Sequence, residues 1–134
     1  MGILDAYKLT IIIIGLTGLT FLIQLIIVDL IGIKVKHKPG FPIKANYNDI
    51  HFRADRAFSN SNESVSIFIL LVLFSILSFA DPYWLNASCS LYLLGRIGHM
   101  VCYYLNLKLF RSIFFGVSLF GLIGILIVGI FTWI

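Results

Sequence analysis

Three features of the sequence predict an all-α membrane protein, a bundle of four transmembrane helices. Of the 134 residues, 60% are hydrophobic and only 12% are charged, with a mean hydropathy of +1.01. A soluble domain carries roughly twice that share of charge. The apolar residues fall into long runs separated by capping residues and breakers, the pattern of spanning helices. The lysines and arginines gather in one loop, which marks membrane topology and not a nucleic-acid partner. The chain is read as one domain, residues 1–134, with no room for a second.

The first span is the apolar run Leu9 to Ile33, interrupted by Gln24 and Asp29. At ~1.5 Å per residue it exceeds a ~30 Å hydrocarbon core. It is too long for a signal-peptide core and no small-residue cleavage site follows, so it is expected to be retained. Gln24 lies deep and is expected to bond a neighbouring helix. Asp29 falls near the basic-side interface, with Lys34 or Lys36 as its expected partner.

Lys34 to Asn48 reads as the one substantial loop, holding Lys34, Lys36, His37, Lys38 and Lys44 around the breakers Pro39-Gly40 and Pro42. Asn48 or Asp49 can cap the next helix, expected from about Asp49 to Ala80 and ~45 Å long. Its purely apolar part, Val65 to Ala80, is short for a span. The first turns must therefore project past the hydrocarbon or line a polar cleft. Asp81-Pro82 supplies an N-cap and a first-turn proline for a third helix reaching about Leu107, with Tyr83 and Trp84 at the interface. Lys108 and Arg111 read as a short basic turn, and Ser112 to Ile134 as the fourth span. Ser112, Gly116 and Gly124 lie near one face of that span and suit a close helix contact.

Charge sets the expected topology. Loops 34–56 and 108–111 are basic and the turn at Asp81 is not, so the basic loops are expected in the cytoplasm and both termini opposite. Cys89 and Cys102 lie on one helix ~20 Å apart and cannot pair within the chain. They read as small core residues, and with no metal-ligand spacing present no metal is predicted.

Two polar stripes carry the chemistry. Arg53, Arg56, Asn60 and Glu63 fall within an arc of roughly 80° on the second helix. Arg96, His99, Tyr103 and Asn106 repeat that spacing on the third. A charge inside a membrane costs at least ~2.5–3.5 kcal/mol, so such residues face a bundle interior or a wet cavity. Two arginines, an amide and a carboxylate on one face suit a small zwitterion with carboxylates and an amine. A basic anchor whose arginines reach lipid phosphates is the alternative for the first stripe. For Arg96 the alternative is a bundle-locking pair with Glu63 or Asp29.

The string Arg56-Ala57-Phe58-Ser59-Asn60-Ser61-Asn62-Glu63 resembles the RAxxNxxE motif of the MAPEG family, membrane-associated proteins in eicosanoid and glutathione metabolism. Arg53 matches the family's preceding arginine. Arg96, His99 and Tyr103 stand where the family has arginine, usually an aromatic, and tyrosine, and Arg111 falls near the arginine closing that segment. The resemblance implies a four-helix bundle assembled as a homotrimer among membrane lipids. It implies glutathione, as a substrate, bound between subunits near the cytoplasmic face, and a lipophilic second substrate entering from the bilayer.

Carried onto this chain, Arg53, Arg56, Asn60 and Glu63 would hold the tripeptide's charged ends, with Arg96, His99 and Tyr103 completing the pocket. Lys34 or Lys36 would reach the glycyl carboxylate, and Arg111 is the candidate to activate the thiol. Two departures stand out: Ser64 replaces a tyrosine common after the motif glutamate, and His99 replaces the tyrosine of the leukotriene-forming members. The resemblance therefore implies a glutathione transferase or peroxidase. A non-catalytic lipid-binding or structural member is the other reading.

Overall fold

Sixteen-residue-plus apolar stretches need helix to satisfy their own backbone in lipid, and every regular element among the described residues is helical. The computed structural model describes residues 2–134. A short α1 (Ile3–Ala6) precedes four long helices: α2 (Lys8–Lys34), α3 (Ile50–Leu77), α4 (Pro82–Tyr104) and α5 (Lys108–Ile130). By length and composition α2, α3 and α5 are apolar enough to cross a membrane. The remaining long helix, α4, has 23 residues, as α5 does, but is diluted by Arg96, His99 and several small polar residues. Its polar face is turned inward, where Arg96 and His99 are buried. The protein is a membrane helical bundle, as the sequence predicts.

The helix starts are set by capping groups. The Asp49 carboxylate accepts from the His51 amide at 2.9 Å, and the Asp81 carboxylate from the Trp84 amide at 3.1 Å ahead of Pro82. The first turn of α2 has no cap from its own sequence. It is capped from α4 instead, where Asn86 Oδ1 accepts from the Thr10 amide at 2.9 Å and from its hydroxyl at 2.6 Å. Tyr7 adds a second tie at this end, donating its hydroxyl to Ala80 O at 2.7 Å.

Three helix ends share one device. After α2, α3 and α4 the chain turns left-handed at Lys36 (φ 54°), Phe79 (φ 57°) and Asn106 (φ 58°). In each case the following amide reaches back a full turn: His37 to Gly32 O, Ala80 to Ser75 O, and Leu107 to Cys102 O. This is the Schellman closure, built without glycine. It corrects two boundaries, because α3 ends at Leu77 and not Ala80, and α4 at Tyr104 and not Leu107. Asn106 therefore leaves the helical stripe to which the spacing assigned it.

The expected basic turn at Lys108 and Arg111 is also corrected. Both residues sit in the first turn of α5, which has no side-chain N-cap, and the connection is only Leu105 to Leu107. Positive charge at a helix N-terminus opposes the macrodipole, so a stabilising contact is needed elsewhere for Arg111.

The closest packing joins α4 to α5. A Cβ on Gly95 would lie 2.5 Å from the Ser118 backbone nitrogen, and one on Gly121 2.6 Å from that of Tyr92. The face expected from Ser112, Gly116 and Gly124 is only partly right: Gly124 abuts Ser88, whereas Gly116 meets nothing within 4 Å and Ser112 is exposed. Within the core Phe68 of α3 stacks on Tyr92 of α4, ring centroids 4.2 Å apart. Outward faces carry exposed leucine, isoleucine and phenylalanine, as surfaces in contact with membrane lipid do.

Candidate functional site

Arg96 is the deepest charge in the chain, 2% exposed at mid-helix. A guanidinium so placed needs acceptors on its N–H groups. Nη1 donates to Asn60 Oδ1 at 2.9 Å and to Asn60 O at 3.2 Å, and Nη2 donates to Ser118 Oγ at 2.9 Å. Its planar face is lined by the rings of Phe115 and Tyr92, with centroids 5.6 and 5.8 Å from Cζ. The two stripes thus meet through Asn60 and Arg96. Glu63 and Asp29 are not among the hydrogen-bond partners of Arg96.

Toward the basic end of the bundle the polar seam continues. His99 and Tyr103 are buried and pack edge-to-face at 5.0 Å. The Arg111 guanidinium lies 4.5 Å from the centroid of Tyr103 and 5.1 Å from that of Tyr47. These two rings are what hold Arg111 against the unfavourable helix dipole. Arg53 donates to Tyr47 O at 2.7 Å and to Tyr104 O at 3.3 Å, so it caps the exposed carbonyl end of α4. Arg53, Arg96 and Arg111 therefore line one seam between α3, α4 and α5. Among the described residues none of them donates to a carboxylate.

Six buried side-chain polar atoms lack a partner among the described residues: Arg53 Nε, Arg96 Nε and His99 Nδ1 belong to this seam, Tyr104 Oη and Asn106 Oδ1 to the end of α4 and the turn after it, and Gln24 Nε2 to α2. Such groups are rare in folded proteins because each forfeits its hydration. Five of the six lie on or next to the arginine-bearing helices α3 and α4.

The stripe on α3 splits along its length. Arg53 and Asn60 form the edge facing α4, while Arg56 and Glu63 lie further round the helix. Arg56 lines a cavity of 850 Å³ between α2, the following loop and α3, and Glu63 is exposed. Among the described residues neither Arg56 nor Glu63 hydrogen-bonds Arg96, His99 or Tyr103. Lys34 and Lys36 are exposed and line neither cavity nor seam. Asp29 lines the same cavity as Arg56, and among the described residues it forms no ion pair with Lys34 or Lys36.

Sequence reasoning missed Ser118, Phe115 and Tyr47. Ser118 lies two turns after Arg111 on α5, a hydroxyl in an otherwise apolar face, and that periodicity was its available signal. Also missed was a polar chain across the bundle. Ser61 Oγ donates to Gln24 Oε1 at 3.1 Å, Ser64 Oγ donates to Ser61 O at 3.2 Å, and the Ser64 and Tyr92 hydroxyls lie 3.0 Å apart. The Gln24 expectation holds: it is fully buried and bonds α3.

Comparison with curated proteins and with solved structures gave no match. A family model matches residues 10–131, from the first turn of α2 to just past the end of α5, and so spans both stripes and the Arg96 seam. On that coverage, and with a helical bundle that gathers Asn60, Arg96, His99, Tyr103 and Arg111 along one seam, the chain belongs to the MAPEG family.

Proposed function

We propose that this chain is a membrane-bound glutathione transferase or peroxidase, which brings the glutathione thiolate to a lipophilic electrophile at the membrane boundary. Family membership supports a membrane protein of glutathione or eicosanoid metabolism in general. The observation that carries the finer reading is the seam itself: among the described residues its three arginines donate to no carboxylate, and Arg53 Nε, Arg96 Nε and His99 Nδ1 are buried without a partner. Such a seam favours an anion. A free thiol has a pKa of ~8.5, and a nearby guanidinium stabilises its thiolate. In a transferase the thiolate attacks an electrophilic carbon, a C–S bond forms, and the bond to the leaving group or epoxide oxygen breaks. In a peroxidase two glutathiones reduce a hydroperoxide to alcohol and water and leave as the disulfide. Arg111 is the thiol activator in this reading, because its charge is permanent and it lies against two rings without a hydrogen bond to a carboxylate among the described residues.

Arg56 and Glu63 bind the charged ends of glutathione from a neighbouring subunit of a homotrimer. In support, Glu63 is exposed, and Arg56 lines the cavity between α2 and α3 instead of bonding within the seam. Losing a buried charge-assisted contact costs ~2–5 kcal/mol. Glu63→Gln is therefore expected to weaken glutathione binding more than tenfold while native mass spectrometry still finds the trimer. Dissociation with unchanged residual binding would make the stripe structural. The basic loops face the cytoplasm in this reading, tested by cysteine labelling at positions 38 and 83.

A second reading has one observation in its favour. The two Nη groups of Arg96 are satisfied from inside the chain, as a structural lock requires. An assay of the detergent-solubilised protein with glutathione and a generic aromatic electrophile separates the two. Turnover supports the enzyme. Absence of both turnover and glutathione binding supports a non-catalytic lipid-binding or structural member.

A further inference from the structure

Tyr47 lies outside every helix, yet its ring stands on the arginine seam. The residues around it fold into a turn. Asn46 Oδ1 accepts from the Asn48 amide at 3.0 Å, and Asn46 O accepts from the Asp49 amide at 3.0 Å. Tyr47 and Asn48 are therefore the two central residues of a β-turn, opened by an asparagine whose side chain bonds its own backbone two residues on. The turn leads directly into the Asp49 cap of α3. Within it Tyr47 is held twice. Its ring meets Phe52 edge-on at 5.1 Å, and its carbonyl accepts from Arg53 Nη1 at 2.7 Å.

The same guanidinium reaches across to α4, where Nη2 donates to Tyr104 O at 3.3 Å. Arg53 thus ties together two segments far apart in sequence. One carries Tyr47, and the other carries Tyr103, next to Tyr104. The rings of those two tyrosines are the ones on Arg111, their centroids 5.1 and 4.5 Å from its Cζ. Arg111 needs such holding. It stands in the first turn of α5, where the helix dipole opposes a cation, and Lys108 is three residues before it on the same helix. Tyr47 is 40% exposed, so its ring is no part of the buried core and can be replaced without opening a cavity there.

We propose that Tyr47 and Arg53 are positioning residues for thiol activation. Arg53 braces the turn against the end of α4, and the Tyr47 ring so placed fixes where the Arg111 charge stands. Both act through Arg111, and the proposal rests on the reading of Arg111 as the activating charge. It gives Arg53 a task other than holding the tripeptide's charged ends, since both of its terminal nitrogens are engaged by main-chain carbonyls. A ring face attracts a guanidinium without neutralising it, whereas a carboxylate in the same place would form an ion pair with it. The charge is therefore fixed and still free to act on a thiolate. Its pull weakens with distance and with screening by water, so a displaced guanidinium is a weaker activator.

The test uses the full chain in mild detergent and has two readouts. The first needs no glutathione: the rate at which a dicarbonyl reagent modifies Arg111, followed residue by residue by peptide mass spectrometry. Tyr47→Leu and Arg53→Gln are each expected to speed it about fivefold or more, while Tyr47→Phe, which keeps the ring, matches the parent. The second is the pH titration of the thiol of bound glutathione. Tyr47→Leu is expected to raise it by about half a unit or more, and Tyr47→Phe again to match the parent. Helical circular dichroism at the parent value in each variant keeps unfolding out of the comparison. Parental labelling of Arg111 in both Tyr47→Leu and Arg53→Gln overturns the brace. Faster labelling with an unmoved or lowered thiol titration in Tyr47→Leu overturns the positioning role, because the ring then holds Arg111 for structure alone. A parent that forms no thiolate, while Arg111 labelling still responds to Tyr47, fails the glutathione reading and leaves the brace on Arg111 supported.

Discussion

Removing the hydroxyl of Ser118 is expected to destabilise the bundle more than removing the charge of Arg96. In Ser118→Ala the Arg96 guanidinium stays buried at 2% exposure, and Nη2 loses the acceptor it now has at 2.9 Å. A buried donor left unpaired costs ~1–3 kcal/mol, and a charged one falls at the upper end. The hydroxyl's other bond, to Phe115 O at 2.8 Å, is less costly to lose, because that carbonyl keeps its place in the α5 ladder. Asn60→Ala removes the 2.9 Å bond to Oδ1 but leaves the 3.2 Å bond to the Asn60 carbonyl, so its cost falls at about 1–2 kcal/mol. Arg96→Met keeps much of the volume and removes the desolvated charge, and the groups it leaves unpaired, Asn60 Oδ1 and Ser118 Oγ, are neutral and cost less to strand than a charge. The expected order of cost is Ser118→Ala, then Asn60→Ala, then Arg96→Met. Denaturant unfolding in a fixed detergent, followed by circular dichroism, gives the order directly. If Arg96→Met is the costliest by several kcal/mol, the guanidinium is a net anchor of the fold and the reasoning from unpaired donors fails.

Three further outcomes follow from the packing. Gly121→Ala places a methyl 2.6 Å from the Tyr92 backbone nitrogen. Backbone cannot yield as a side chain can, so a loss of at least ~1–3 kcal/mol is expected in the same unfolding assay. Lys36→Gly relieves a left-handed residue at φ 54°. A strain of ~1–2 kcal/mol, less the entropy of glycine, leaves a gain of about 0.5–1 kcal/mol in unfolding free energy. Tyr7 has its phenol pushed up from the ordinary value by burial and then by the Asp81 carboxylate. Its contribution is full below the unfolded tyrosine value of ~10 and is lost as pH rises through the raised folded value. Tyr7→Phe is expected to cost ~1–3 kcal/mol at neutral pH and to flatten the alkaline limb of stability against pH.

Much of the fold was legible because lipid leaves the backbone few options. The four long helices and the caps at Asp49 and Asp81 follow from hydropathy and N-cap chemistry. The helix ends were not legible, since Phe79 and Asn106 turn left-handed where the familiar signal is glycine. The cap on α2 was invisible for another reason: Asn86 supplies it across 76 positions of sequence. For the site, spacing identified Asn60 and Arg96 as inward-facing but could not pair them. An arc of roughly 80° is wide enough for one edge to face α4 while the other stays open. That is why Arg53 and Asn60 join the seam and Arg56 and Glu63 do not. Ser118, Phe115 and Tyr47 come from parts of the chain with no polar stripe, and only tertiary packing brings them to the arginines.

The central claim is that the arginine seam holds glutathione and ionises its thiol. Thiolate absorbance of bound glutathione against pH, in the parent protein, Arg111→Ala and His99→Ala, measures it. Each unit of depression corresponds to ~1.4 kcal/mol of preference for the thiolate. The account predicts a thiol titrating well below ~8.5 in the parent and in His99→Ala, and near ~8.5 in Arg111→Ala with glutathione still bound. Loss of the depression in His99→Ala alone would move the activating role to the imidazole. A parent protein that never forms thiolate at neutral pH would contradict the claim.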